Sequence, residues 1–321
     1  MTARGLFVLD GVGIAVTFHG DAGRLTPFTH ALAPMRDPTP IGVDIEVAWG
    51  ADDDEPHRPE SLAPSFFQGA VQVSTLDHGW LLSTREAWLA LRRVGSAVRV
   101  EGRASTDPST LAVLTRRMLF MALALAMREH DRFHAHAGLV RVGEGAWLLV
   151  GASGTGKTTT TLALAATGLE PLADDAVFLT DGARVAPLGR AFHLSSRTRA
   201  AFPDLPRGEK LPDPDREAVR VVRPRAESLP VLGIVTLERF AARTFVRPRA
   251  PSDLLGRLLE ESAIAVVDGA TGVERQLAML AHLASSVPAV AVDLGPDSLE
   301  RPRELRVALE GALGTGRFSD E

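Results

Sequence analysis

Short apolar and alternating runs dominate the first third of the chain. Those at 6–9, 42–47, 70–74 and 97–100 are separated by Gly, Pro and Asp clusters, a pattern of short strands joined by turns. Residues 1–107 are therefore expected to form a mostly β region. Within it, the acidic, proline-bearing stretch 51–61 reads as a solvated loop. At Pro108 the period changes. Leu111, Leu114, Met118, Met121 and Leu125 recur at helical spacing, predicting a helix from 108 to about 129 with Asp107 as N-cap and Pro108 at its first position. Arg116 and Arg117 fall on its wet edge, and the helix reads as core packing.

From residue 134 strands, a glycine loop and helices alternate. Strands are expected at 139–142 and 146–150 around a Gly143-Glu144-Gly145 turn, then a helix over 159–167 closed by Gly168. The run 169–179 places two adjacent aspartates in apolar surroundings. Residues 203–217, rich in Pro, Asp and Arg, read as an exposed or mobile loop. Further strands are expected at 219–222, 231–237, 244–246 and 289–292. Helices are expected at 254–261, from a Thr271/Glu274 capping box to about Ser286, and at 299–313. No internal repeat is evident. The reading is an α/β domain over 108–321 behind a β-rich region over 1–107.

Composition narrows the function. The formal net charge of −5 argues against a broadly basic nucleic-acid surface. The absence of cysteine excludes disulfides, thiolate catalysis and Cys-ligated metals. The longest apolar run, 118–127, falls well short of the roughly 20 residues of a membrane span. Asp10 interrupts the apolar start, and no small-x-small cleavage site follows it. A cytoplasmic protein with neither nucleic-acid nor membrane partner is expected. Of 35 Lys plus Arg, only Lys157 and Lys210 are lysine.

One of those lysines lies in Gly151-Ala152-Ser153-Gly154-Thr155-Gly156-Lys157-Thr158, which matches the phosphate loop G-x-x-x-x-G-K-[ST] at every fixed position. Glycines let the backbone fold around phosphate oxygens with its N–H groups inward, and the following helix directs its positive end there. The ammonium reaches β- and γ-oxygens, and the threonine hydroxyl serves Mg²⁺. Gly151, Ser153, Gly154, Thr155, Gly156, Lys157, Thr158 and Thr159 are the expected nucleotide contacts. A plain glycine turn with a surface lysine is the competing reading. It is disfavoured because one of two lysines falls where the chemistry requires it.

Asp174 and Asp175, alone, would read as an acidic turn at a strand end. Beside a phosphate loop, two carboxylates can divide metal binding and acceptance of a hydroxyl proton, and their repulsion raises one apparent pKa. His136, at the start of an apolar strand, is either structural or the hydrogen-bond partner of an aspartate; His134 is a weaker candidate two residues earlier. Arg190, Arg197 and Arg199 could contact phosphates or an acidic substrate, although most of the chain's many arginines must lie on the surface.

The segment HAGLVRVGEGAWLLVGASGTGKTTTTLALAATGLEPLADDAV resembles the core of the HPr kinase/phosphorylase family and its HPr-kinase-related relatives. There too a histidine precedes a strand, a phosphate loop follows, and Ala-Asp-Asp closes the unit. LPVLGIVTLER and VPAVAVDL are similar to later segments of the looser relatives. The resemblance implies a phosphoenolpyruvate-carboxykinase-like phosphate-loop kinase domain and a homo-oligomer. It further implies Lys157 and the loop amides on the nucleotide phosphates, Thr158 and Asp175 at Mg²⁺, Asp174 as acid/base residue, and His136 as its partner. The family's glutamate-containing signature of the E-I-R-G-L-G-I type is replaced by RAFHLSSRTRAAFP, without a glutamate. That departure bears on one metal ligand of the family, on the reverse (phosphorylase) reaction and on HPr itself as substrate, none of which the resemblance then implies for this chain.

The expected function is thus an ATP- and Mg²⁺-dependent kinase acting on a hydroxyl, with Ser of a peptide or protein as acceptor. The alternatives are a nucleotide-gated binding protein without phosphotransfer and a small-molecule (free serine-type) kinase.

Overall fold

The computed structural model describes residues 2–49, 66–68, 71–105, 107–211, 215–262 and 272–314. The acidic stretch 51–61 and Thr271 of the expected capping box lie outside them. Two compact units divide after Arg132, one built mainly from Met1–Arg132 and one from Phe133–Ala265 and Glu274–Glu321. This differs from the division at 107/108, because the helix beginning at Pro108 packs on strands Ala87–Val94 and Ile41–Trp49 of the first unit.

The first unit is a nine-stranded sheet, fuller than the four runs suggest. Its strand Val12–His19 is buried at most positions, so it shows no clean alternation. It pairs with Thr2–Leu9 through the two-residue turn Asp10-Gly11, both at positive φ, the conformation that a tight hairpin needs. The expected helix starts as read. Asp107 accepts from the Ser109 and Thr110 N–H groups at 2.9 and 3.0 Å. It is not one regular helix, however: a π turn over Leu114–Met118 separates Pro108–Val113 from Leu119–Arg128. Its end is tied down where His130 Nε2 donates to the Gly42 carbonyl and Arg132 to Asp10.

The second unit is mixed α/β. Its sheet runs Phe133–Ala135, Val177–Thr180, Arg184–Pro187, Leu229–Phe240, Gly145–Val150, Ala137–Val142, Glu170–Ala173. Ala289–Leu294 lies parallel to Leu229–Phe240, which is in turn parallel to Gly145–Val150. Gly145–Val150 is buried at every position, with alternate residues serving the two faces. Leu148 and Val150 join a core with Leu254, Leu258, Leu280 and Leu283, whereas Trp147 and Leu149 join Leu164, Leu305 and Leu309. These apolar layers hold the parallel strands so that their carboxyl ends open on one edge, the usual place for a ligand in such sheets.

Several boundaries differ from expectation. The stretch 203–217 is not wholly loop, since Glu209–Lys210 and Arg216–Val219 form a small sheet with Phe192–Ser195. The strand expected at 219–222 is instead Arg216–Val219, the middle strand of that sheet, set by pairing with Glu209–Lys210 on one side and Phe192–Ser195 on the other. The last helix is two, Asp297–Glu300 and Pro302–Leu313, because Pro302 restarts the helix at a first-turn position.

Candidate active site

The phosphate loop leaves the buried strand Gly145–Val150 and enters the helix Lys157–Ala165. Gly154 (φ 86°) and Gly156 (φ 100°) occupy left-handed conformations that L-residues resist. Gly151 is needed for a different reason: a Cβ there would lie 2.7 Å from the Leu237 carbonyl. Ser153 and Gly154 are exposed and Thr155 half-buried, with the Thr155 hydroxyl donating to the Ala152 carbonyl at 2.8 Å. Lys157 is only 4% exposed and folds back to donate to the Gly151 and Ala152 carbonyls. Burial lowers its pKa, against the opposing charges of Asp175, Glu261 and Asp174.

The twin aspartates follow the strand Glu170–Ala173 in a tight turn, with Asp175 at φ 63°. Asp174 is 1% exposed and accepts from the Thr158 hydroxyl, which lies 3.0 Å from each carboxylate oxygen. Burial, then the Asp175 charge, push its pKa up to about 7; the Thr158 hydrogen bond, the His193 backbone N–H and the Arg190 charge work the other way. Asp175 is more open. His136 pairs with it and not with Asp174: Nδ1 donates to the Asp175 carbonyl at 3.0 Å and lies 3.8 Å from its carboxylate. Because a carbonyl only accepts, Nδ1 carries the proton of this contact.

The remaining candidates separate. Thr159 turns to Thr198 at 3.0 Å, and Thr198 to Ser195 at 3.0 Å, so a hydroxyl chain docks the loop helix to the short helix Ser196–Ala201. His134 stands edge-on to Phe178 and stays neutral, its pKa lowered to about 3 chiefly by burial; it is structural. Arg199 is bound to Glu217 and to the Leu205 and Pro206 carbonyls, also structural. Arg197 is exposed. Arg190 stands apart from them, because its charge acts on Asp174.

Glu261 escaped the sequence reading. It ends the helix Pro251–Glu261, and its carbonyl accepts the His136 N–H at 3.0 Å. Burial raises its pKa, while Lys157 and His136 lower it. No local motif marks it. His193 was missed too, since its contribution to Asp174 is a main-chain N–H that any residue would supply.

Among the described residues no three His, Asp or Glu side chains are grouped to hold a metal by themselves. Thr158 and the Asp174 carboxylate it bonds, with Asp175 next in the chain, are hard oxygen donors of the kind that would suit Mg²⁺ if phosphate and water completed its shell. The site can grip a polyphosphate with main-chain N–H groups and one ammonium, and it sets carboxylates of differing exposure beside them.

No family model matches the chain, and no curated protein does. Among solved structures, the HPr(Ser) kinase/phosphatase from Coxiella burnetii is similar over 59% of this chain and 99% of that one, at 12% identity and a TM-score of 0.28. A likeness at that level carries no argument about the chemistry. No helix among the described residues is long and apolar enough to cross a membrane.

Proposed function

We propose that this chain is a phosphotransferase that moves the γ-phosphate of ATP to a hydroxyl, with Mg²⁺ as cofactor and Ser of a peptide or protein as acceptor. One observation carries the reading. Lys157 and Thr158 of a complete phosphate loop stand against Asp174 and Asp175, and Thr158 is hydrogen-bonded to Asp174. The choice of a Ser acceptor rests on the resemblance of this segment to HPr-kinase-related proteins.

Loop amides and Lys157 would bind and orient the triphosphate, while Thr158 and Asp175 would hold Mg²⁺. When bound, the ion neutralises charge on the phosphate oxygens. The acceptor hydroxyl gives its proton to a carboxylate as its oxygen bonds to the γ-phosphorus, and the bond from that phosphorus to the ADP oxygen breaks. Asp174 is the preferred proton acceptor, since a pKa near 7 suits proton transfer at neutral pH. Exposure favours a second assignment, with Asp175 as base and His136 behind it. Arg190 would add positive charge beside the transferring group.

The test compares wild type with Asp174→Asn and Asp175→Asn, measuring ATP binding by calorimetry and phosphorylation of serine peptides and free serine by intact mass. The base variant should bind ATP and fail to transfer. Binding without transfer in wild type, against every acceptor, would favour the nucleotide-gated reading. One observation supports that reading: the segment RAFHLSSRTRAAFP contains no glutamate, and its Thr198 hydroxyl meets those of Thr159 and Ser195.

A further inference from the structure

We propose that the exposed ring of Phe240 is the stacking platform for the base of the bound nucleotide. The proposal rests on the reading of the loop as a nucleotide site and adds where the nucleoside end goes. Phe240 is 63% exposed at the end of the strand Leu229–Phe240. A phenylalanine left this open forgoes much of the gain from burial, and its position is specific. Its Cε1 and Cζ lie 3.7 Å from where a Cβ on Gly156 would stand, one residue before Lys157. An open aromatic ring thus stands at the rim of the phosphate loop.

Topology gives the direction. The loop strand Gly145–Val150 has Leu229–Phe240 on one side and Ala137–Val142 on the other, and the strand leading to Asp174 lies beyond Ala137–Val142. A triphosphate whose γ-end faces the aspartates therefore sends its nucleoside toward Phe240. The platform is also held in place. Phe240 pairs with Leu294, and the next residue's N–H donates to the Leu294 carbonyl at 2.8 Å. Phe245, also exposed, pairs with Asp293 and so lies on the opposite face of the sheet.

Stacking on an aromatic ring tolerates any base, because every base has a π-face. ATP and GTP should accordingly bind within several-fold of one another. The deciding experiment measures Mg²⁺–ATP and inorganic tripolyphosphate binding by calorimetry on full-length wild type, Phe240→Ala and Phe240→Trp. Phe240→Ala should weaken ATP about 10- to 100-fold and leave tripolyphosphate unchanged, and Phe240→Trp should keep ATP binding. Unaltered ATP affinity in Phe240→Ala, or equal losses for ATP and tripolyphosphate, would overturn the platform while the loop reading stands. Wild type that binds neither ligand would overturn both.

Discussion

The Thr158 hydroxyl lies 3.0 Å from both carboxylate oxygens of Asp174. It joins the last residue of a phosphate loop to an aspartate sixteen positions later, and it is a direct donor to a nearly inaccessible carboxylate. Removing it should therefore be felt in both stability and ligand binding. Thr158→Val keeps the shape but leaves Asp174 without this donor, at a cost of about 1–3 kcal/mol. The Mg²⁺-dependent part of ATP affinity should vanish as well. Thr158→Ser should restore both, as read by urea unfolding and by calorimetry with and without Mg²⁺.

Stability of the unliganded protein should fall between mildly acidic and mildly alkaline pH. Asp174 titrates near 7 when folded against an ordinary 3.8, so the folded state keeps a proton that the unfolded chain has released. That contribution is whole below about pH 4 and is lost as pH rises through 7, with a slope of at most about 1.4 kcal/mol per unit. The raised pKa of Glu261 acts in the same direction. Urea midpoints from pH 5 to 8 should show the decline, and Asp174→Asn should flatten it. An equal slope in the variant would refute the assignment.

Two loop glycines separate backbone strain from steric conflict. Gly154 has φ 86° and no atom within 4 Å of a would-be Cβ, whereas Gly156 has φ 100° and Leu294 Cδ1 at 3.0 Å. Gly154→Ala should cost about 1–2 kcal/mol from its left-handed conformation alone. Gly156→Ala should cost more, since Leu294 must also yield. Thermal unfolding of the pair gives the ranking; the reverse order would contradict the loop geometry.

Arg190→Ala should leave ATP binding nearly intact and reduce phosphotransfer about 100-fold or more, the scale of one lost charge-stabilising donor. Without this neighbouring charge the Asp174 pKa should rise further. The acidic limb of the rate profile should move to higher pH, which a purely structural arginine would not cause.

What could be read in advance was local. Asp107 caps its helix as expected, and a hairpin forms where 143–145 was read, with Gly143-Glu144 as its turn and Gly145 already in the strand; the loop helix ends at Ala165 with Ala166 as C-cap, short of Gly168, which takes φ 96° just beyond it. The strand Val12–His19 was harder to read, since burial on both faces removes the alternation that marks a strand, though Asp10-Gly11 was an available turn signal. The π turn at Leu114–Met118 has no comparable sequence mark.

The amino-acid order alone determined the glycine loop at 151–158 and its match to the phosphate-loop pattern, because glycine's freedom at positive φ and the position of one lysine are properties of a short run of backbone. Only the tertiary structure decided what surrounds it. Sheet order brings Asp174 to Thr158 and Phe240 to Gly156, and it carries the end of a distant helix, Glu261, to His136. Those contacts come from packing between segments far apart in the chain, where a residue's immediate neighbours hold no record of its partner.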